Sequence, residues 1–131
     1  MTKLLFTGAS GFLGSHLKPL LRKEFEVKTM GLTEEDSYKV NLAISVPNII
    51  EKFNIILHAA GKAHSIPKTE SEKKVFFDVN FQGTVNLCTA LEKSSIPKAF
   101  IFISTVAVYG LEAGENITEE YPLNGDTPYA L

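Results

Sequence analysis

Residues Thr7-Gly8-Ala9-Ser10-Gly11-Phe12-Leu13-Gly14 follow the apolar run Leu4-Leu5-Phe6 and lead into a segment with helical periodicity. A buried strand that stops at Gly8 can turn tightly, pass Gly11 with no side chain in the way of a pyrophosphate, and pack the next helix closely at Gly14. The helix then aims its free N–H groups and the positive end of its dipole at the anion. Gly8, Ser10, Gly11, Phe12, Leu13 and Gly14 are therefore candidate phosphate-cradle residues. Three glycines at this spacing, taken alone, also suit a plain strand-to-helix turn.

Beyond that turn, apolar runs alternate with helical patterns, which predicts an α/β chain with a doubly wound parallel sheet covered on both faces. Strands are expected over 3–7, 26–30, 39–41, 54–58 and 99–104, and helices over 11–23, 44–52 and 71–93. Leu13, Leu17, Leu20 and Leu21 form the expected buried stripe of the first helix, and Pro19 predicts a kink in it. Right-handed crossovers put a ligand crevice at the carboxyl ends of the strands, where the order reverses. The stretch 111–127, with its Gly, Asn, Pro and acidic residues, reads as a loop.

The long helix over 71–93 carries two apolar stripes. Phe76, Asn80, Gly83, Leu87 and Leu91 share one face, interrupted by Asn80 and Gly83. Asn80 satisfies a backbone group of the adjoining strand, stands beside a ligand, or does both, and Gly83 permits close helix–sheet contact. Phe77, Phe81, Thr84 and Cys88 form the second stripe, whose partner is a following helix or a second copy of the chain, giving a homodimer through this helix.

A length of 131 residues bounds the chain to one domain, able to bury roughly two thirds of its unfolded surface. Thirteen basic against fifteen acidic residues, with no dense basic run, exclude a nucleic-acid or anionic-membrane footprint and favour a small-molecule partner. Cys88 stands alone, so no internal disulfide framework exists. The apolar runs are far shorter than a membrane span, and a core strand follows Met1 too soon for a signal peptide. The cytoplasm is the expected location. His58 and His64 lack Cys or carboxylate neighbours at complementary spacing, so no metal site is expected. Lys62 can reach a phosphate or simply be solvated.

The spacing Gly-x-x-Gly-x-x-Gly with its opening Thr7 resembles the short-chain dehydrogenase/reductase superfamily. His58-Ala59-Ala60-Gly61, Asn80-Phe81-Gln82-Gly83-Thr84, Ser104-Thr105-Val106-Ala107-Val108-Tyr109-Gly110 and Pro128-Tyr129 are similar, in order and spacing, to its extended branch, which acts on nucleotide sugars. The resemblance runs from residue 3 to Leu131. It implies a Rossmann fold, here truncated after about five strands, that binds NAD(P) as the N-terminal part of a longer enzyme. In that family Ala59, Ala60 and Gly61 line the cofactor, Asn80 stands beside it, and Asn41-Leu42 matches an Asp-hydrophobic pair near the adenine.

A hydride leaves a carbinol carbon only if the hydroxyl loses its proton, so a base must reach that oxygen. The resemblance assigns the base to Tyr129 and the hydroxyl that holds the substrate oxygen to Thr105. Tyr109 is read as a packing residue, and strand alternation points Ser104 to the opposite face. The family's base belongs to a Tyr-x-x-x-Lys motif, of which only Tyr129-Ala130-Leu131 is present. The 131 residues are therefore expected to bind a dinucleotide without turnover. Dehydratases of the family carry Thr-Asp-Glu where this chain has Thr105-Val106-Ala107, which favours an epimerase or a 4-keto-sugar reductase. NAD is the expected cofactor, because no arginine stands ready for a 2′-phosphate, and NADP stays open. Gly31 ends the second strand without an acid; Glu34, Glu35 and Asp36 come slightly later, and their blander reading is a solvated loop. A non-catalytic dinucleotide sensor or association domain is the alternative, against which the joint presence of Thr105 and Tyr129 argues.

Overall fold

The computed structural model describes residues 1–131. Five parallel strands form one sheet: β1 (Lys3–Thr7), β2 (Glu26–Gly31), β3 (Tyr38–Lys39), β4 (Ile55–His58) and β5 (Ala99–Phe102), in the order β3-β2-β1-β4-β5. After β3 the chain crosses to the other side of β1, so the order reverses between β1 and β4, and a crevice opens there. No helix is long and apolar enough to cross a membrane.

Strand alternation divides the core between the two faces. Leu5, Met30 and Ile56 pack with Ile49, Phe53, Leu87, Ala90 and Leu91 on one side. Leu4, Phe6, Ala9 and Leu57 pack on the other, against Leu17 and Leu21 of α1 (Phe12–Glu24). Leu13 and Leu20, expected in the same stripe, are exposed, and Gly14 is the residue of α1 that is buried. A side chain there would block the approach of helix to turn. Helix α1 runs through Pro19 as one element.

The helix expected over 44–52 does not form. Pro47 biases Val46 toward extended backbone and lacks a donor, and Ile44, Val46, Ile49 and Ile50 are β-branched. The segment instead runs irregularly, burying Ile49 and sending Glu51 to the Lys3 ammonium (3.1 Å) and the Tyr38 hydroxyl (3.1 Å).

The helix expected over 71–93 is not uniform. Helix α2 (Glu70–Phe77) starts from a capping box, in which the Thr69 side chain accepts the Glu72 N–H while the Glu72 carboxylate accepts the Thr69 N–H. A five-residue π turn over Asp78–Gln82 then joins it to α3 (Gly83–Ser94). The wider turn re-phases the helix, so Thr84 faces the sheet instead of continuing the outer stripe. Phe77 and Phe81 remain exposed and stacked, with ring centroids 4.9 Å apart. Gly83 meets Leu42, whose Cβ would lie 3.5 Å from an added methyl, so it serves ordinary contact with a loop and not the expected close helix–sheet approach.

Candidate active site

The crevice holds two cavities that share Gly8, Gly11, Ala59, Ala60 and Gly61. The larger, about 1310 Å³, lies over β4 and β5, and the smaller, about 290 Å³, lies over β1 and β2. An elongated ligand can therefore cross the glycine turn with one end in each. Gly8, Gly11, Phe12, Leu13, Gly14, Ala59, Ala60, Gly61, Asn80, Thr105 and Tyr129 line the larger cavity. Ser10, Asn41 and Leu42 line the smaller one. The fourteen candidate binding and catalytic residues thus all border this crevice.

The glycine turn fits a pyrophosphate. Gly8 has φ of 77°, and a Cβ on it would lie 2.6 Å from the backbone of Ala59 and Ala60. A Cβ on Gly14 would lie 2.2 Å from the Gly8 carbonyl oxygen, so strand, turn and helix touch backbone to backbone. Gly11, the N-cap of α1, offers no capping side chain, and the first turn holds no acid to compete for its N–H groups. Around Gly11 an added Cβ would meet only the Gly8 carbonyl oxygen, at 3.4 Å, leaving the open face to a ligand.

Behind the turn runs a chain of hydrogen bonds centred on His58. The Thr84 hydroxyl donates to the Asn80 carbonyl (2.9 Å), so its oxygen accepts from His58 Nε2–H (2.8 Å). His58 Nδ1 is then the acceptor for the Thr7 hydroxyl (2.6 Å), whose oxygen accepts the Ala60 N–H (3.1 Å). His58 is 1% exposed, and burial pushes its imidazole down to about 4, so it is neutral at pH 7. Its two nitrogens join Thr7, at the head of the glycine turn, to Thr84 of α3, and through the Thr84 hydroxyl to the π turn. The sequence placed His58, Thr7 and Thr84 within three separate motifs, and the structure joins them through this one imidazole.

Asn80, in the π turn, accepts the Lys62 N–H through Oδ1 (2.7 Å) and donates through Nδ2 to the Lys62 carbonyl (3.0 Å). It thereby fixes the segment that carries Ala59, Ala60 and Gly61, its backbone partner lying just past the end of β4 and not on the strand, while it also lines the larger cavity. The Lys62 ammonium lies 5.6 Å from the centre of the Phe76 ring. Asn41 Oδ1 accepts the Ala43 N–H (3.0 Å), closing its own turn, while the Leu42 carbonyl accepts from Asn86 (2.7 Å). Asp36, read as part of a solvated loop, is half-buried and borders the smaller cavity.

Thr105 caps the 3-10 turn Val106–Tyr109, its hydroxyl oxygen accepting the Ala107 N–H (3.1 Å). The Gly125 N–H donates to the Val108 carbonyl (2.9 Å), which brings the following residues back against that turn. Thr127 then starts one turn of helical geometry, with Ala130 N–H on its hydroxyl (3.2 Å), and Tyr129 stands on it facing the cavity that Thr105 also borders. Tyr109 packs edge-on against Tyr121 (5.9 Å), the packing role expected of it. Ser104 also borders the cavity, contrary to expectation: β5 ends at Phe102, so strand alternation no longer governs residue 104.

Among known proteins, the chain is 31% identical over 120 residues to GDP-6-deoxy-D-talose 4-dehydrogenase of Aggregatibacter actinomycetemcomitans, covering 89% of this chain and 40% of that protein. It is 32% identical over 127 residues to N-acetyl-alpha-D-glucosaminyl-diphospho-ditrans,octacis-undecaprenol 4-epimerase of Escherichia coli O157:H7, covering 91% and 37%. The chain thus spans about two fifths of the length of these relatives. Of solved structures, UDP-glucuronic acid 4-epimerase from Bacillus cereus, in complex with NAD, has the same fold, with a TM-score of 0.76 and 24% identity over 98% of this chain and 48% of that one. The NAD dependent epimerase/dehydratase family model matches residues 4–131, and by that match across nearly its whole length the chain belongs to this family.

Proposed function

We propose that this chain is the dinucleotide-binding part of a longer enzyme that oxidises or reduces a carbinol of a nucleotide-linked sugar, as an epimerase or a 4-keto-sugar reductase. The observation that carries this reading is that Thr105 and Tyr129 border the same cavity as the glycine turn. The turn and the first N–H groups of α1 hold the pyrophosphate of NAD. Bound NAD supplies the acceptor or donor of a hydride. Thr105 hydrogen-bonds the sugar oxygen, and Tyr129 takes its proton during oxidation or returns one during reduction. Val106 and Ala107 bring no carboxyl group to the cavity, which supports hydride transfer without elimination of water.

The substrate side of the cavity is apolar and open: Phe102 and Ile103 are 53% and 41% exposed. A nucleotide sugar needs polar partners there, so the reading assigns its recognition to further chain and expects no turnover from the 131 residues alone. It also assigns the stacked Phe77–Phe81 pair to contact with a second copy.

Calorimetric titration of the chain with NAD tests the reading. Saturable one-to-one binding that Gly14→Val abolishes is the expected result. No binding by a folded chain overturns it, and turnover of a nucleotide sugar by these residues alone overturns the division of labour. Sedimentation of Phe81→Glu against the unaltered chain tests the second copy, with loss of a dimer expected.

A further inference from the structure

Gly31 ends β2 at the rim of the smaller cavity, one strand over from the glycine turn. An acidic side chain at such a position takes the ribose hydroxyls of NAD and repels the 2′-phosphate of NADP. Gly31 has no side chain, yet the room for one is filled. A Cβ built there would stand 2.7 Å from Asp36 Oδ2, 3.2 Å from Asp36 Cγ and 3.4 Å from Asp36 Oδ1. The carboxylate five residues later has folded back into the place of the missing side chain.

Thr33 holds it there. Asp36 Oδ2 accepts the Thr33 N–H (3.0 Å) and the Thr33 hydroxyl (2.7 Å), while the Asp36 N–H donates to the Thr33 carbonyl (3.2 Å). Two donors on Oδ2 leave acceptor capacity on Oδ1 for a ribose hydroxyl. Burial pushes the Asp36 carboxyl up, but hydrogen bonds from Thr33 and Thr29 and the charge of Lys18 outweigh it and hold the group below its ordinary range, ionised at neutral pH.

From this juxtaposition we infer that Asp36 is the specificity-determining residue of the nucleotide half. Its carboxylate receives the ribose 2′-hydroxyl of NAD and excludes NADP, and Gly31 is required because any side chain at 31 would displace it. The inference rests on the dinucleotide reading above and adds to it the residue that selects between the two cofactors. It also replaces a carboxylate carried on the strand by one carried on a turn, fixed by Thr33.

The test is calorimetric titration of the chain with NAD and with NADP, for the unaltered protein, for Asp36→Asn and for the transplant Gly31→Asp/Asp36→Ala. The unaltered chain is expected to prefer NAD. Asp36→Asn should raise the Kd for NAD about tenfold, the effect of losing one hydrogen bond to a charged acceptor. It should also ease NADP binding, since the carboxylate that repels a 2′-phosphate is then gone. The transplant should restore the preference for NAD. An unchanged NAD-to-NADP ratio in Asp36→Asn overturns the assignment while leaving the dinucleotide reading intact. Failure of the unaltered chain to bind either dinucleotide overturns that reading and the assignment with it. Should Asp36→Asn not fold, Asp36→Ser takes its place: a fallen preference for NAD supports the inference, and an unchanged NAD-to-NADP ratio overturns it.

Discussion

Strands β1 and β5 are both short, parallel and apolar, yet they sit in opposite surroundings. Leu4, Leu5 and Phe6 of β1 are 2%, 0% and 0% exposed, whereas Phe100, Ile101 and Phe102 of β5 are 38%, 47% and 53% exposed. The difference is cover. β1 lies between two strands with α1 on one face and α3 on the other, while β5 is paired along one edge to β4. Parallel strands are ordinarily buried on both faces. The nucleotide side of the crevice is therefore a finished piece of packing, whereas β5 presents an apolar surface to solvent.

Truncation at the two strands should sharpen the contrast. Phe6→Ala removes a fully buried ring and is expected to lower stability by about 3–5 kcal/mol, measured by urea unfolding. Acidification should act next. His58 is held neutral in the fold with its imidazole at about 4 against an ordinary 6.5, so the unfolded chain binds the proton first as pH falls. Stability from this group is whole above about pH 6.5, is lost as pH falls toward 4, and amounts to about 3 kcal/mol. His58→Gln should flatten the unfolding free energy across that window, and a profile as steep as that of the unaltered chain would remove His58 from the account. Thr84→Val leaves the His58 Nε2–H without its acceptor and should cost about 1–3 kcal/mol. At the small end, Phe102→Ser on β5 should cost less than about 1 kcal/mol in this chain, since little contact is lost. A Phe102 effect as large as that of Phe6 would mean that β5 is covered in solution and the contrast is void.

The finished side was also the legible one. Glycines, strand alternation and the parallel crossover pattern are local signals, and they located β1, α1, β2 and β4 and the residues along their carboxyl ends. Where long-range contact decides, the sequence was silent. Asp36 looked like one of three acids on a solvated loop because nothing local says that its carboxylate turns back over Gly31. His58 was given no task beyond its place in a motif because its partners lie 51 and 26 residues away, in Thr7 and Thr84. The helix over 44–52 was expected from apolar spacing alone, and Pro47 with its β-branched neighbours outweighed that spacing. Ser104 was misjudged because alternation was carried past the end of a strand.

The five-residue turn at Asp78–Gln82 makes residue count, and not only residue type, a determinant of this site. Each residue of an α-helix advances the chain by about 100°. Removing one residue from the turn would thus leave composition almost untouched while rotating Thr84, Leu87 and Leu91 away from the sheet and swinging Val85 and Cys88 toward it. A substitution at Asn80 would cost its two hydrogen bonds to Lys62, whereas a single-codon deletion in the turn would disconnect His58 from the helix and the helix from its core in one step.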